Sequence, residues 1–284
     1  MQSKGWRTSV RSLVRTNWNR APFAQLAGLA ARYLRLWSNL DHDFSMNGES
    51  ALLTRLADAG VTTVVDVGCH AGVWTDRAVE CFPSATVHAF EADPVLAERL
   101  AVKYQGSSRV VVNAVGLADE SGTLVLNVDP DHRDRSSVIA GDSLNSVPVE
   151  VPVVRGDEYA ETLGIDRIDM LKVDTEGFDW FVLDGFGDLL GAAVPVVQFE
   201  YNGWNMRSRR LLADFYELLG PKGYRIGKIR PNGVVFAPFR LEEENWVGPA
   251  CLAVHESRLD LIRAVQLAPT APRRPRSPRP PRGR

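Results

Sequence analysis

From residue 50 onward two kinds of hydrophobic pattern alternate along the chain. Short runs rich in β-branched and aromatic residues are separated by longer stretches with apolar side chains at helical spacing. Residues 62–68 (TTVVDVG), 86–92, 109–116, 168–174 and 194–201 read as buried strands, and residues 50–60, 73–82, 94–104, 157–164, 178–186 and 207–220 as helices between them. Gly60 is placed to end the first of these helices, and Pro94 to open the third. Residues 122–128 and 146–154 read as added strands around a polar loop at 129–145; 224–229, 234–238 and 250–256 read as terminal strands. Such alternation predicts an α/β fold: a mostly parallel sheet, helices on both faces, right-handed crossovers.

That body occupies residues 46–258. Residues 1–45 form a basic extension, in which Phe23, Leu26, Ala27, Ala30, Leu34 and Trp37 recur at helical spacing. They predict one or two amphipathic helices, which cap the core, cover a site, or lie on a membrane surface. Residues 259–284 are expected to be a basic tail; its Pro/Arg repeat from Pro269 has no large apolar residue to bury and is expected to be disordered.

Charge sharpens this division. The formal net charge of −2 conceals seven Lys/Arg and no acid in residues 1–35, and six Arg and no acid in residues 271–284, leaving twenty basic against 35 acidic residues between them, a net of −15. With 45% hydrophobic and 24% charged residues the composition is that of a globular protein. No apolar run approaches the roughly 20 residues of a membrane span. Cys69, Cys81 and Cys251 are odd in number and lack C-x-x-C spacing, which argues against a disulfide framework or a zinc site. With no export signal at the start, a cytoplasmic setting is expected.

Candidate chemistry gathers at strand ends. The first strand runs through Asp66-Val67-Gly68-Cys69-His70-Ala71-Gly72 directly into a helix. Glycines there let a backbone approach a ligand, and an acid ahead of the first glycine suits an ammonium better than a phosphate. Glu91 closes the second strand in Phe90-Glu91-Ala92-Asp93-Pro94, where a carboxylate accepts hydrogen bonds from both ribose hydroxyls. The pair predicts a nucleoside-cofactor site.

Together with Asn113-Ala114-Val115-Gly116, Gly122, Lys172-Val173-Asp174-Thr175-Glu176-Gly177 and Gln198-Phe199-Glu200, these segments resemble the FkbM family of S-adenosylmethionine-dependent methyltransferases over about residues 47–256. Cys69-His70 stands where the family usually has Ala-Asn, and Ala92 where Pro is commoner. The resemblance implies a Rossmann-like class I methyltransferase fold with a seven-stranded sheet and a late antiparallel strand. It implies O-methylation of a hydroxyl on a sugar, glycoside or natural product. The cofactor's amino-acid end is then expected on Asp66, Gly68, Cys69, His70 and Gly72, its ribose on Glu91, and its adenine near Ala92 and Asn113.

An alcohol must also lose a proton, by a base or with a Lewis acid. Asp174 and Glu176, with Lys172 beside them, are the catalytic candidates. A second route stays open, in which Asp174, Glu200 and Asn202 hold Mg²⁺ or another hard divalent ion, similar to the acidic site of catechol-type O-methyltransferases. His70 is a candidate cleft residue, His132 a candidate lid base in the 129–145 loop, and Trp204 a candidate sugar platform. The expected partner is a small-molecule or glycan acceptor. Nucleic acid is disfavoured, because the body is acidic and the fourth strand lacks an Asn/Asp-Pro-Pro-aromatic ending. A non-catalytic cofactor-binding protein is the other alternative, and oligomeric state is open.

Overall fold

The computed structural model describes residues 3–40, 42–140, 145–246 and 250–267. In chain order the strands are β1 (Thr63–Val67), β2 (Thr86–Phe90), β3 (Val110–Asn113), β4 (Gly116–Ala118), β5 (Gly122–Val128), β6 (Val147–Arg155), β7 (Met170–Val173), β8 (Val196–Glu200), β9 (Tyr224–Arg230), β10 (Gly233–Phe236) and β11 (Ala250–His255). The helices are α1 (Ser3–Thr16), α2 (Phe23–Trp37), α3 (Glu49–Arg55), α4 (Val73–Cys81), α5 (Pro94–Lys103), α6 (Gly156–Leu163), α7 (Asp179–Asp184), α8 (Leu189–Ala192), α9 (Asn205–Ser208), α10 (Leu212–Leu219) and α11 (Leu259–Val265).

The main sheet has the order β10-β9-β11-β8-β7-β1-β2-β3. Strands β3, β2, β1, β7 and β8 run parallel, and β11 lies antiparallel between β8 and β9. This is the expected seven-stranded sheet, extended at one edge by β10 through a hairpin with β9. The added strands form a separate three-stranded sheet of order β4-β6-β5.

Side-chain alternation assigns each strand residue to a layer. Val64, Met170, Val196, Leu252 and Val254 pack with α3, α4 and α11, whereas Val65, Leu171, Val173, Val197, Phe199 and Ala253 pack with α7, α10 and the small sheet. Both faces are covered, so the central strands are apolar on both sides, interrupted at Asp66, Lys172 and Gln198. The strand order reverses between β1 and β7, and the carboxyl ends at that reversal are where an open α/β sheet leaves a crevice.

The ends of the chain depart from expectation. Leu261, Ile262 and Val265 of α11 are buried against α3 and the sheet, so the body runs through residue 267 rather than stopping at 258. The remainder of the predicted tail, 268–284, lies outside the described residues. Helices α1 and α2 form where the apolar periodicity predicts them, yet α2 buries none of its residues and caps no core. Among the described residues no helix is long and apolar enough to cross a membrane.

Candidate functional site

Two glycines shape the turn after β1. Gly68 has φ +72°, and a Cβ there would lie 1.9 Å from the carbonyl oxygen of Asp174, so only glycine lets the ends of β1 and β7 meet. Gly72 has φ +73°, and its Cβ would lie 2.4 Å from the Tyr104 hydroxyl. Between them, His70 (φ +48°) donates its backbone N–H to Glu91 Oε2 at 2.8 Å, while Asp93 N–H reaches Oε1 at 2.9 Å. Glu91 is thus held by two loops, with 8% of its surface open to the cleft; burial raises its pKa. Asp93 caps α5 through Val95 N–H (2.9 Å) and receives Arg133 Nη1 at 2.7 and 2.5 Å.

Beneath the turn lies a polar row. Asp66, Lys172 and Gln198 are in cross-strand register on β1, β7 and β8, and all three are buried. Thr75 Oγ1 donates to Asp66 Oδ2 (2.5 Å); Lys172 Nζ lies 3.1 Å from Asp66 Oδ1, donates to Gly68 O (3.0 Å), and stands 3.4 Å from Asp174 Oδ2. Burial alone works against the Lys172 ammonium, but the carboxylates of Asp66 and Asp174 outweigh it and raise its pKa above that of an ordinary lysine. Gln198 Nε2 donates to Glu49 Oε2 at 2.6 Å, and Asn47 Nδ2 to Glu49 Oε1 at 2.5 Å. Burial, then repulsion from Asp174, pushes the Glu49 carboxyl up to about 7.

The opposite wall is acidic. One carboxylate oxygen each of Asp174, Glu176 and Glu200 lies within 4.8 Å of the others. Burial and the Asp174 charge raise the pKa of both Glu176 and Glu200, so this pair retains a proton well above the ordinary carboxylate range. Glu176 (φ +52°) and Gly177 (φ +92°) form a left-handed turn, and a Cβ on Gly177 would lie 2.8 Å from Trp204 Cβ. Asp179, fully buried, holds this turn to β8: Oδ2 accepts from Thr175 Oγ1 (3.2 Å) and Gly177 N–H (3.3 Å), and Oδ1 accepts from Glu200 N–H (3.2 Å). Burial and Asp174 push Asp179 up to about 6.

These walls enclose a cleft of about 1250 Å³. Of the residues singled out in the sequence, Gly68, Cys69, His70, Glu91, Ala92, Lys172, Asp174, Glu176, Glu200 and Asn202 line it. Three predicted contacts lie behind the lining. Asp66 is fully buried, with Thr75 on one oxygen and Lys172 beside the other. Gly72 starts α4 and its carbonyl accepts from Lys103 Nζ (3.3 Å) and the Tyr104 hydroxyl (3.0 Å). Asn113 donates to Ala89 O (3.3 Å) and Val111 O (3.2 Å) and accepts from Tyr159 (3.1 Å), away from the cleft. Asn202 Oδ1 is taken by Trp204 N–H (2.8 Å), and its side chain hydrogen-bonds Glu176 and Glu200.

Sequence reasoning missed Glu49, Gln198, Asp179 and Arg133. Buried polar residues on central strands were a signal for Gln198; the others meet the site through tertiary contacts. The described part of the polar loop is held over the cleft by Arg133 on Asp93 and by Ser137 Oγ donating to Glu176 O at 2.8 Å. His132 is exposed and outside the lining.

The residues fit a nucleoside bearing a cationic amino-acid end. Glu91 keeps lone pairs for ribose hydroxyls, and Ala92, Leu96 and Gly116 offer an apolar slot beside it, where a Cβ on Gly116 would crowd Val153 Cγ1 at 3.1 Å.

The family model described as Methyltransferase FkbM domain matches residues 66–226, more than half of the chain. Methyltransferase 1 of Beauveria bassiana is 26% identical over 189 residues, covering 60% of this chain and 74% of that protein. Hexuronic acid methyltransferase AglP of Haloferax volcanii is 27% identical over 179 residues, covering 59% and 69%. Among solved structures, methyltransferase FkbM from Methylobacillus flagellatus has 16% identity and a TM-score of 0.43, covering 69% of this chain and 44% of its own.

Proposed function

The chain belongs to the FkbM methyltransferase family, and from that premise we propose that it methylates a hydroxyl of a sugar, glycoside or polyhydroxylated natural product. S-adenosylmethionine, when bound, supplies an electrophilic methyl group. The chain's own residues bind, orient and take a proton. Glu91 accepts the ribose hydroxyls, the Gly68–Ala71 backbone meets the amino-acid end, and Ala92, Leu96 and Gly116 flank the base. Orientation in such a cleft is worth on the order of 7–11 kcal/mol of the barrier.

One observation carries the hydroxyl assignment: the far wall holds three clustered carboxyl groups, two with pKa values raised by burial and by Asp174. A carboxylate whose pKa is brought nearer neutrality is a stronger base than an ordinary one, which suits proton removal from an alcohol. Glu176 takes the acceptor proton. Asp174, steadied by Lys172, orients the acceptor hydroxyl, and Lys172 is a positioning residue.

The convergence of Asp174, Glu176 and Glu200 oxygens also favours a second reading, in which the trio holds Mg²⁺ or another hard divalent ion. Cys69, Cys81 and Cys251 are free thiols, which supports a reducing, cytoplasmic setting.

The test pairs calorimetry with S-adenosylhomocysteine and transfer of tritiated methyl from S-adenosylmethionine to a panel of sugars and uronic acids, with Mg²⁺ or with EDTA. A base-stable ether product, and loss of turnover without loss of cofactor affinity in Glu176→Gln, are expected. Only base-labile product would move the acceptor to a carboxylate. Full turnover in Glu176→Gln would remove Glu176 as base, and indifference to EDTA would remove the metal reading.

A further inference from the structure

Helix α2 is apolar on a broad face that the rest of the described chain leaves uncovered. Leu26, Leu29, Tyr33, Leu34, Leu36 and Trp37 are 55–72% exposed. At 100° per residue they fall within an arc of about 160°. Arg32 and Arg35 lie outside that arc, and both are exposed. Helix α1 repeats the pattern: Leu13 and Val14 are 53% and 45% exposed, with Arg11 and Arg15 exposed beside them.

An exposed apolar area of this size asks for an occupant, and the charge pattern selects one. Residues 1–35 carry seven Lys/Arg and no acid. Pairing residues 1–35 with their counterpart in a second copy would bring fourteen positive charges together, twice seven. The chain's own C-terminal tail, with six Arg and no acid in residues 271–284, has the same sign and is repelled. An anionic bilayer takes both features at once: leucines and aromatic rings enter the acyl boundary while arginines stay at the phosphates.

We infer that α1 and α2 dock this protein on an anionic membrane surface. The docking also has a direction. Beyond Trp37, Asn39 (φ +62°) is buried and its Nδ2 donates to Asn47 O (2.7 Å) and Ile229 O (3.1 Å), fixing the exit of α2 to the body. A few residues later Leu40, His42 and Phe44 enter the lining of the cleft. A bilayer under α2 therefore lies next to the cleft, and bound protein draws its acceptor from that surface.

The experiment is co-sedimentation of the full chain with vesicles of phosphatidylcholine alone and of phosphatidylcholine with phosphatidylglycerol. Binding to the mixed vesicles and little to the neutral ones is expected. Leu29→Glu combined with Leu34→Glu should weaken it at least about tenfold, because two leucines no longer leave water. Arg32→Gln with Arg35→Gln should weaken it about fivefold for each charge, on anionic vesicles only. All four side chains are exposed, so S-adenosylhomocysteine affinity and the melting temperature should match wild type. The arginine-rich tail is unaltered in these variants, so binding that survives both pairs of substitutions runs through the tail and overturns the inference. No binding to anionic vesicles also overturns it. So does a concentration-dependent dimer in sedimentation velocity that Leu29→Glu/Leu34→Glu abolishes, which would give the face to a second copy.

Discussion

Replacing Lys172 with Met removes one ammonium and strands one carboxylate. Asp66 is fully buried, with Thr75 on one oxygen and Lys172 Nζ 3.1 Å from the other. Breaking a buried pair from one side typically costs about 3–5 kcal/mol, because the remaining charge is left without compensation. The Gly68 carbonyl loses its donor at 3.0 Å as well, and Asp174 loses its tether. We therefore expect Lys172→Met to lower stability in urea by about 4 kcal/mol. The companion Asp66→Asn, which leaves the ammonium facing Asp174, should cost less. In the double variant no uncompensated charge stays in the row, so it should regain at least half of the Lys172→Met loss, a coupling of about 2 kcal/mol plus whatever Asp66→Asn costs alone. Equilibrium unfolding of the four proteins closes the cycle. A loss below about 1 kcal/mol in Lys172→Met, or single losses that simply add, would refute the reading of the row as a charge-compensated unit.

Three further outcomes follow from the same geometry. Gly68→Ala puts a Cβ 1.9 Å from the Asp174 carbonyl at φ +72°, and should cost about 2–4 kcal/mol and most cofactor affinity, measured by melting and by calorimetry. Arg133→Ala leaves the buried Asp93 carboxylate with only the α5 N–H groups, and should weaken S-adenosylhomocysteine binding about tenfold through release of the Glu91–Asp93 loop; unchanged affinity would detach the latch from the cofactor. The Glu49 carboxyl is raised from 4.5 to about 7, so the folded state holds its proton more tightly than the unfolded chain. Its contribution is fully present below pH 4.5 and is lost as pH rises through 7, at most about 3 kcal/mol, and Glu49→Gln should flatten the stability profile across that window.

The sheet was legible because its signal is local. Val64 and Val65 alternate between layers within one strand, and Gly68 and Glu91 mark strand ends by residue type alone. The wall of the cleft that carries Gly68 and Glu91 followed from the same signals. What stayed hidden was three-dimensional. Asp66 looks like a ligand contact in sequence, and only the packed structure shows it fully buried beneath the turn, paired with Thr75 and Lys172 and outside the lining. Asn113 stands at the right distance from Glu91 along the chain, yet Tyr159, on a helix 46 residues later, claims it. Glu49 precedes β1 and carries no motif; it enters the site because α3 packs beside β8 and brings it to Gln198. The exposed face of α2 was visible as a periodicity, but whether a core would cover it depended on the packing of the whole chain.

The row of Asp66, Lys172 and Gln198 has a consequence for anyone remodelling this enzyme. Asp66 and Lys172 tie β1 to β7 directly below the loops that carry Gly68 and Asp174, while Gln198 at the same level ties β8 to Glu49, so the floor of the cleft is braced across three strands. The upper wall is assembled differently, from a segment clipped at Arg133 and Ser137. Side chains of that wall between and beyond the clips, Asp134, Arg135, Ser136, Val138 and Ile139, line the cleft and can be changed one at a time. Any change at Asp66 or Lys172 has to be made on both strands together.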